Sequence, residues 1–197
     1  SVVPPLTEQV VDDVRSHFNE ADLYVVHHEM ALPFEMAYET PETLGTDRLA
    51  AAAAAWLSYG ASGRAVLVVD AGTAVTIEAI TSSGVYLGGA IAPGPEMLRQ
   101  SLSNETAQLP SIQWPETLKP IGRNTREAIE AGLSGLFLDG VRGLVNRTAG
   151  KLNTQPVVVA TGGWASWISY HLEEIDVVAP DLVLDGIRTL VNYQFET

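Results

Sequence analysis

A chain of 197 residues that is 46% hydrophobic and 18% charged has the make-up of an ordinary globular protein, one domain or two small ones. Its 11 basic residues against 24 acidic ones give a net charge of −13, which leaves no broad basic footprint for nucleic-acid phosphates. With no cysteine there is no disulfide, thiolate metal site or thiol nucleophile, a composition that suits the cytoplasm.

Pro4-Pro5 break the chain ahead of a helical pattern in which Leu6, Val10, Val11, Val14 and Phe18 lie near one face, with Thr7 as a candidate N-cap. Residues 22–28, DLYVVHH, read as a strand. A loop over 29–45 then leads into a helix from about Asp47 to Tyr59; its segment AAAAAAWL, residues 50–57, is too short to span a membrane. No signal peptide and no long apolar run are expected.

From Arg64 the texture changes. AVLVVD, AVTIEAI and VYLGGAI read as three consecutive strands joined by turns at Gly72 and Ser83-Gly84, an antiparallel meander. PGPEMLRQSL opens a helix with proline in its first turn. After a proline-studded loop over 106–120, a long helix is predicted from about Asn124 to Thr148, burying Ile129, Leu133, Phe137, Leu144 and Val145. Strand PVVVAT, a helix, strand IDVVAP and the helix DGIRTLVNYQF complete an α/β order. Gly132, Gly135, Gly140 and Gly143 sit inside the long helix, where each glycine costs about 1 kcal/mol relative to alanine. Close packing within the chain and close approach across a subunit interface both account for them.

Four stretches could carry chemistry. Asp70 ends an apolar strand and is followed by Gly72-Thr73, a turn whose amides can cradle an anion while the carboxylate holds a cation. A plain hairpin with a solvated aspartate explains the same residues. No G-x-x-x-x-G-K-[ST] loop is present. Asp47 and Arg48 fall at a helix start, where Asp47 serves as a cap or accepts a proton from a hydroxyl, and Arg48 can grip a carboxylate through two hydrogen bonds. Gly88-Gly89 and Pro93-Gly94 leave backbone open at a strand end and a helix start, and Thr161-Gly162-Gly163 repeats the theme. His17, His27, His28 and His171 show neither metal-ligand spacing nor a triad arrangement, and Trp164 and Trp167 read as core.

Taken in order, SVVPPLT, Y-x-x-P-x-x-x-G-x-D-R (38–48), VVDAGTAVT, YLGGAIAPG, SLxxxTAxLP, GRNTxxAIxxG and ATGG make the whole chain resemble type III pantothenate kinases. That resemblance implies an α/β, ribonuclease-H-like fold of the actin-like ATPase superfamily. It implies a complete second domain over residues 63–197 and the C-terminal part of the first domain over residues 1–62. The implied reaction is ATP-dependent phosphorylation of pantothenate, the first step of coenzyme A biosynthesis, in a cytoplasmic dimer with no membrane or nucleic-acid partner.

By the same resemblance Asp47 is the general base. Tyr38, Gly45, Thr46, Asp47 and Arg48 contact pantothenate, and Thr125 reaches the substrate from the neighbouring subunit. Gly72, Thr73, Gly162 and Gly163 contact ATP, and Asp70 holds a monovalent cation, K+ or NH4+, with Mg2+ on the phosphates. Members of the family open with a strand and a D-x-G-N-[TS] phosphate loop, and no such turn precedes SVVPPLT here. A fragment of a longer enzyme, one subunit of a split heteromeric kinase, and a non-catalytic regulatory relative all accommodate that difference. The chain alone is expected to be inactive.

Overall fold

The computed structural model describes residues 4–18, 22–60, 62–104, 109–110, 112–115 and 117–196. Six strands, β1 (Glu35–Met36), β2 (Val66–Ala71), β3 (Ala74–Ile80), β4 (Val85–Pro93), β5 (Val157–Thr161) and β6 (Val177–Val178), form one sheet in the order β1-β4-β3-β2-β5-β6. β2, β3 and β4 are the antiparallel meander that the short turns predict. β5 joins β2 in parallel, and β6 joins β5 likewise. Parallel neighbours need crossover connections, and helices supply them. The helices are α1 (Pro4–His17), α2 (Thr46–Ala55), α3 (Pro95–Asn104), α4 (Thr125–Ala149), α5 (Ala165–His171) and α6 (Leu182–Glu196), with α3 and α4 between β4 and β5 and α5 between β5 and β6.

The period-2 alternation of the strands divides the core into two layers. Leu67, Val69 and Ala71 of β2, with Val75, Ile77 and Ala79 of β3, pack against Phe137, Leu138, Val141 and Val145 of α4 and Ile168 of α5. Val66 and Val68 face the other way, onto Ala51, Ala54 and Ala55 of α2, together with Val157, Val159 and Leu182. Asp70 and Glu78 therefore belong to the same sheet face as α2, two residues along from Val68 and Ile80 respectively.

α2 is buried from Leu49 to Ala55. Alanine suits that position because it forms helix well and is thin. A Cβ at Gly186 of α6 would fall 1.9 Å from the Ala50 carbonyl oxygen, so the two backbones touch. This contact clamps α2, whose first turn carries Asp47 and Arg48, onto the rest of the fold.

Residues 22–27 belong to no strand, contrary to their sequence pattern. They run irregularly, with Tyr24 at 43% and Val25 at 46% exposure, and the parallel edge beside β4 is taken by Glu35–Met36 instead. Strand propensity reports fit to a half-buried ladder, and no ladder lies beside this segment among the described residues. Thr7 lies inside α1 rather than at its cap. The buried face of α4 includes Leu138 and Val141, while Leu144 is only partly buried. α6 begins at Leu182, three residues before the expected start. Trp164 and Trp167 pack edge-on with each other and with Trp114, as core residues do. Among the described residues no helix is long and apolar enough to cross a membrane.

Candidate active site

Asp47 is not the cap of α2. Gly45 occupies that position without a side-chain hydrogen bond, and Asp47 sits in the first turn, where anionic side chains interact favourably with the helix amides. Its Oδ1 accepts the Arg48 backbone N–H at 2.8 Å. Among the described residues its other carboxylate oxygen has no protein donor. A Cβ on residue 45 would stand 2.5 Å from Asp47 Oδ1, so glycine is needed there for the carboxylate to keep its place. Thr46 and Asp47 line a cavity of about 390 Å³ together with Val10 and Val11 of α1, Tyr24, and Ile187 of α6.

Arg48 turns to the sheet. Its Nε donates to Glu78 Oε1 at 2.6 Å and its Nη2 to Glu78 Oε2 at 2.8 Å, a bidentate pair. The Tyr86 hydroxyl donates to the same Oε2 at 2.5 Å. Glu78 is 1% exposed. Burial opposes the Arg48 charge, but the hydrogen bonds and charge of Glu78 outweigh it and hold the guanidinium protonated. Burial raises the Tyr86 pKa, and the neighbouring Glu78 charge adds to the rise. Tyr38 lies beside this group, its ring centroid 5.9 Å from Arg48 Cζ and its edge against Tyr86.

Gly88 and Gly89 belong to this cluster and not to a strand end, because β4 continues to Pro93. A bulge between Ala79 and Ile80 shifts the register so that Glu78 faces Gly89. Gly88 has φ +97°, and a Cβ there would meet the Tyr38 ring. The two glycines thus make room for Tyr38 and Glu78.

Asp70 is half-buried near the end of β2, opposite Thr76 of β3 and Thr161 of β5. Burial pushes its carboxyl above the ordinary aspartate range, and the charges of Asp47 and Glu78 push it the same way. It is therefore not the solvated acid of a plain hairpin. The turn after it is tied down: Gly72 N–H donates to Ala74 O at 3.0 Å, and Gly94 N–H donates to Thr73 O at 3.1 Å. Gly162, at φ +88°, leaves no room for a Cβ, which would lie 2.4 Å from Asp70 Oδ1. The ends of β2, β4 and β5 thereby bring Gly72-Thr73, Gly94 and Gly162 together around one carboxylate. Open α/β sheets bind ligands at such carboxyl ends.

A family model described as type III pantothenate kinase matches residues 1–147. The chain belongs to the type III pantothenate kinase family. The type III pantothenate kinase of Dehalococcoides mccartyi strain 195 is 37% identical over 190 residues, covering 96% of this chain and 72% of that protein. Type III pantothenate kinase 1 of Symbiobacterium thermophilum is 38% identical over 194 residues, with 96% and 72% covered. A solved structure of a conserved protein of Campylobacter jejuni, described as a Baf family transcriptional activator, superposes with a TM-score of 0.62 at 22% identity, covering 94% of this chain and 80% of that one. At that identity the likeness concerns the fold.

For this type III pantothenate kinase family member, the residues singled out in the sequence fall into two groups. Tyr38, Gly45, Thr46, Asp47, Arg48 and Asp70 converge through α2 and the sheet face beneath it, with Gly72, Thr73 and Gly162 adjoining Asp70. Gly163 follows Gly162 and is exposed with no atom within 4 Å of a Cβ placed there. Thr125 stands apart: it is the exposed first residue of α4, next to the N-cap Asn124, whose Oδ1 accepts the Glu127 N–H at 3.0 Å. It lines a different cavity, with Gly132 and Leu136. Glu78 is the site residue that sequence reading missed. Its signal was a lone acid inside the apolar strand AVTIEAI, on the same face as Ile80.

Around Arg48 the site holds three carboxyl groups, Asp47, Asp70 and Glu78, against one guanidinium, a balance that favours a bound cation. Among the described residues no group of three or more His, Cys, Asp or Glu could hold a metal. A cation at Asp70 would complete its shell from phosphate oxygens, backbone carbonyls or water, as hard cations do at phosphate sites.

Proposed function

We propose that this chain supplies the acceptor side and part of the phosphate side of an ATP-dependent pantothenate kinase. The γ-phosphoryl of ATP passes to the primary hydroxyl of pantothenate, giving 4′-phosphopantothenate and ADP. The observation that carries the reading is Asp47: one carboxylate oxygen is fixed by a helix amide and the other is without a donor among the described residues. Its charge also acts on Asp70, around which the glycine-rich strand ends gather.

In this reading Asp47 orients the hydroxyl in line with phosphorus and accepts its proton, a contribution of about 10²–10⁴ in rate. Arg48 and Tyr38 hold the pantothenate carboxylate end, with Gly45 and Thr46 beside it. The Thr73 amide and hydroxyl, with Gly72 leaving the backbone open beside them, face the phosphates, and Gly162-Gly163 the adenosine side. Positioning and charge neutralisation supply most of the catalysis in phosphoryl transfer. Mg2+ on the phosphates and K+ or NH4+ at Asp70 supply countercharge, in keeping with the acidic excess of the site.

The fold assignment that accompanies this reading is ribonuclease-H-like, with residues 63–197 as the second domain and residues 1–62 as the end of the first. The strand order β4-β3-β2-β5-β6 with β3 antiparallel supports it. We further propose that the D-x-G-N-[TS] phosphate loop comes from a segment outside these 197 residues, in the same or another polypeptide. The 72% coverage of the relatives supports this. So does the strand-like 22–27 segment, which borders the Asp47 cavity through Tyr24 and Val25 without a ladder of its own.

The chain is also proposed to dimerise through the outer face of α4. Among the described residues nothing lies within 4 Å of a Cβ placed on Gly132, Gly135 or Gly140, which supports the approach of a second copy at these glycines. Leu136, 62% exposed, lies among them. Thr125 at the end of that face would then serve the partner's site.

The test is production of 4′-phosphopantothenate from ATP by the chain with and without a D-x-G-N-[TS] segment. Specific DNA retention at physiological salt, with no phosphoryl transfer in either case, favours the regulatory alternative.

A further inference from the structure

We propose that Glu78 is a positioning residue: it fixes the Arg48 guanidinium so that one defined edge remains for the carboxylate of the substrate. The proposal rests on the pantothenate reading and deepens it. A guanidinium has two edges that can form a fork. Nε and Nη2 make the side-on edge, Nη1 and Nη2 the end-on edge. Glu78 takes the side-on edge, at 2.6 and 2.8 Å. The end-on edge is the one Glu78 leaves, and the Tyr38 ring stands 5.9 Å from Arg48 Cζ.

Stability gives no sufficient reason for the arrangement. Glu78 and Arg48 are 1% and 10% exposed, and replacing a pair this buried with apolar residues is often neutral or stabilising. Specific support has instead been built around it. Tyr86 donates to Glu78 Oε2 and is itself stacked on Phe34 at 5.6 Å. The β4 bulge sets Gly89, with no side chain, opposite Glu78. A Cβ at Gly89 would lie 1.4 Å from the Ile77 carbonyl oxygen, so only glycine fits against the β3 backbone beside Glu78. A long, flexible arginine that had to be ordered by each incoming substrate would lose affinity to that ordering; here the chain has ordered it beforehand.

The experiment uses the 197-residue chain labelled with 15N-arginine, in wild-type form and as Glu78→Gln, Glu78→Asp and Tyr86→Phe. Two probes are titrated: pantothenate, and pantothenyl alcohol, in which the carboxylate is replaced by a hydroxymethyl group. Thermal unfolding checks that each variant folds. In the wild type the Arg48 Nε–H resonance is expected to be protected from exchange. In Glu78→Gln that protection is lost, and pantothenate binds about tenfold to a hundredfold more weakly. Pantothenyl alcohol binds both proteins within about twofold, since it lacks the group that Arg48 holds.

Tyr86→Phe, which keeps the ion pair and removes one anchor, gives a smaller loss with the same selectivity. It carries the test if Glu78→Gln does not fold. Glu78→Asp, which keeps the charge, restores part of the affinity. Equal pantothenate affinity in wild type and a folded Glu78→Gln overturns the proposal, as does an equal loss for both probes. A wild-type chain that binds neither probe overturns the pantothenate reading instead, and the Nε–H signal still reports whether Glu78 holds Arg48.

Discussion

Replacing Gly186 with alanine tests how α2 is held. The new methyl carbon would start 1.9 Å from the Ala50 carbonyl oxygen and 2.3 Å from its carbon, both backbone atoms that no rotamer change can move. To reach even 3.0 Å the two helices must part, and α2 is buried from Leu49 to Ala55 with no free side to retreat into. Overpacking of this kind costs about 3 kcal/mol, and the better helix propensity of alanine offsets about 1 kcal/mol of it. The net loss of about 2 kcal/mol lowers Tm by about 4–8 °C in a chain of this size. Gly132→Ala is the matched control, because among the described residues a Cβ there meets nothing within 4 Å. It is expected to raise Tm by about 2–4 °C at dilute protein concentration. Differential scanning calorimetry of the two variants reads both signs. A Gly186→Ala protein as stable as the wild type would refute the α2–α6 contact, and with it the account of how Asp47 and Arg48 are placed.

Three other substitutions address the site and the assembly. Asp47→Asn in the complete kinase is expected to lower turnover about 10²–10⁴-fold while pantothenate still binds; unchanged turnover would reduce Asp47 to a first-turn residue of α2. Asp70 has a folded pKa above its ordinary 3.8, so the native state binds the extra proton and stability falls as pH rises from 3.8 through the raised value. Asp70→Asn should therefore raise Tm at neutral pH and give no gain below pH 3.8, and K+ should stabilise the wild type but not the variant. A wild-type-like pH profile in Asp70→Asn would contradict the crowding of carboxylates. Gly140→Leu puts its Cβ in open space among the described residues, so it should leave the fold intact and weaken self-association in sedimentation velocity; an unchanged dimer would place the interface elsewhere.

The meander, the α/β order that follows it and the long α4 were legible in the sequence because each rests on local signals: apolar runs and short turns. Asp70 was legible as an acid at the end of a buried strand. Residues 22–28 misled for a physical reason. Their alternation encodes a surface that wants a sheet neighbour, and pattern alone cannot say whether the neighbour is there. Gly88-Gly89 misled because a glycine pair reads as a turn, whereas here it marks a bulge where Tyr38 and Glu78 crowd the strand. Glu78 itself stayed hidden because its partners, Arg48 and Tyr86, come from a helix 30 residues earlier and a strand 8 residues later. Only the register and the packing of α2 on that sheet face bring them together.

Asp47 and Arg48 are proposed to act on pantothenate at a phosphate site completed by a D-x-G-N-[TS] loop. The most direct measurement is mass-spectrometric detection of 4′-phosphopantothenate from ATP and pantothenate, with the chain alone and with that loop segment supplied. Little product is expected from the chain alone, and catalytic turnover once the segment is added. Robust turnover by the chain alone would contradict the divided phosphate site, and no product in either case would contradict the kinase reading.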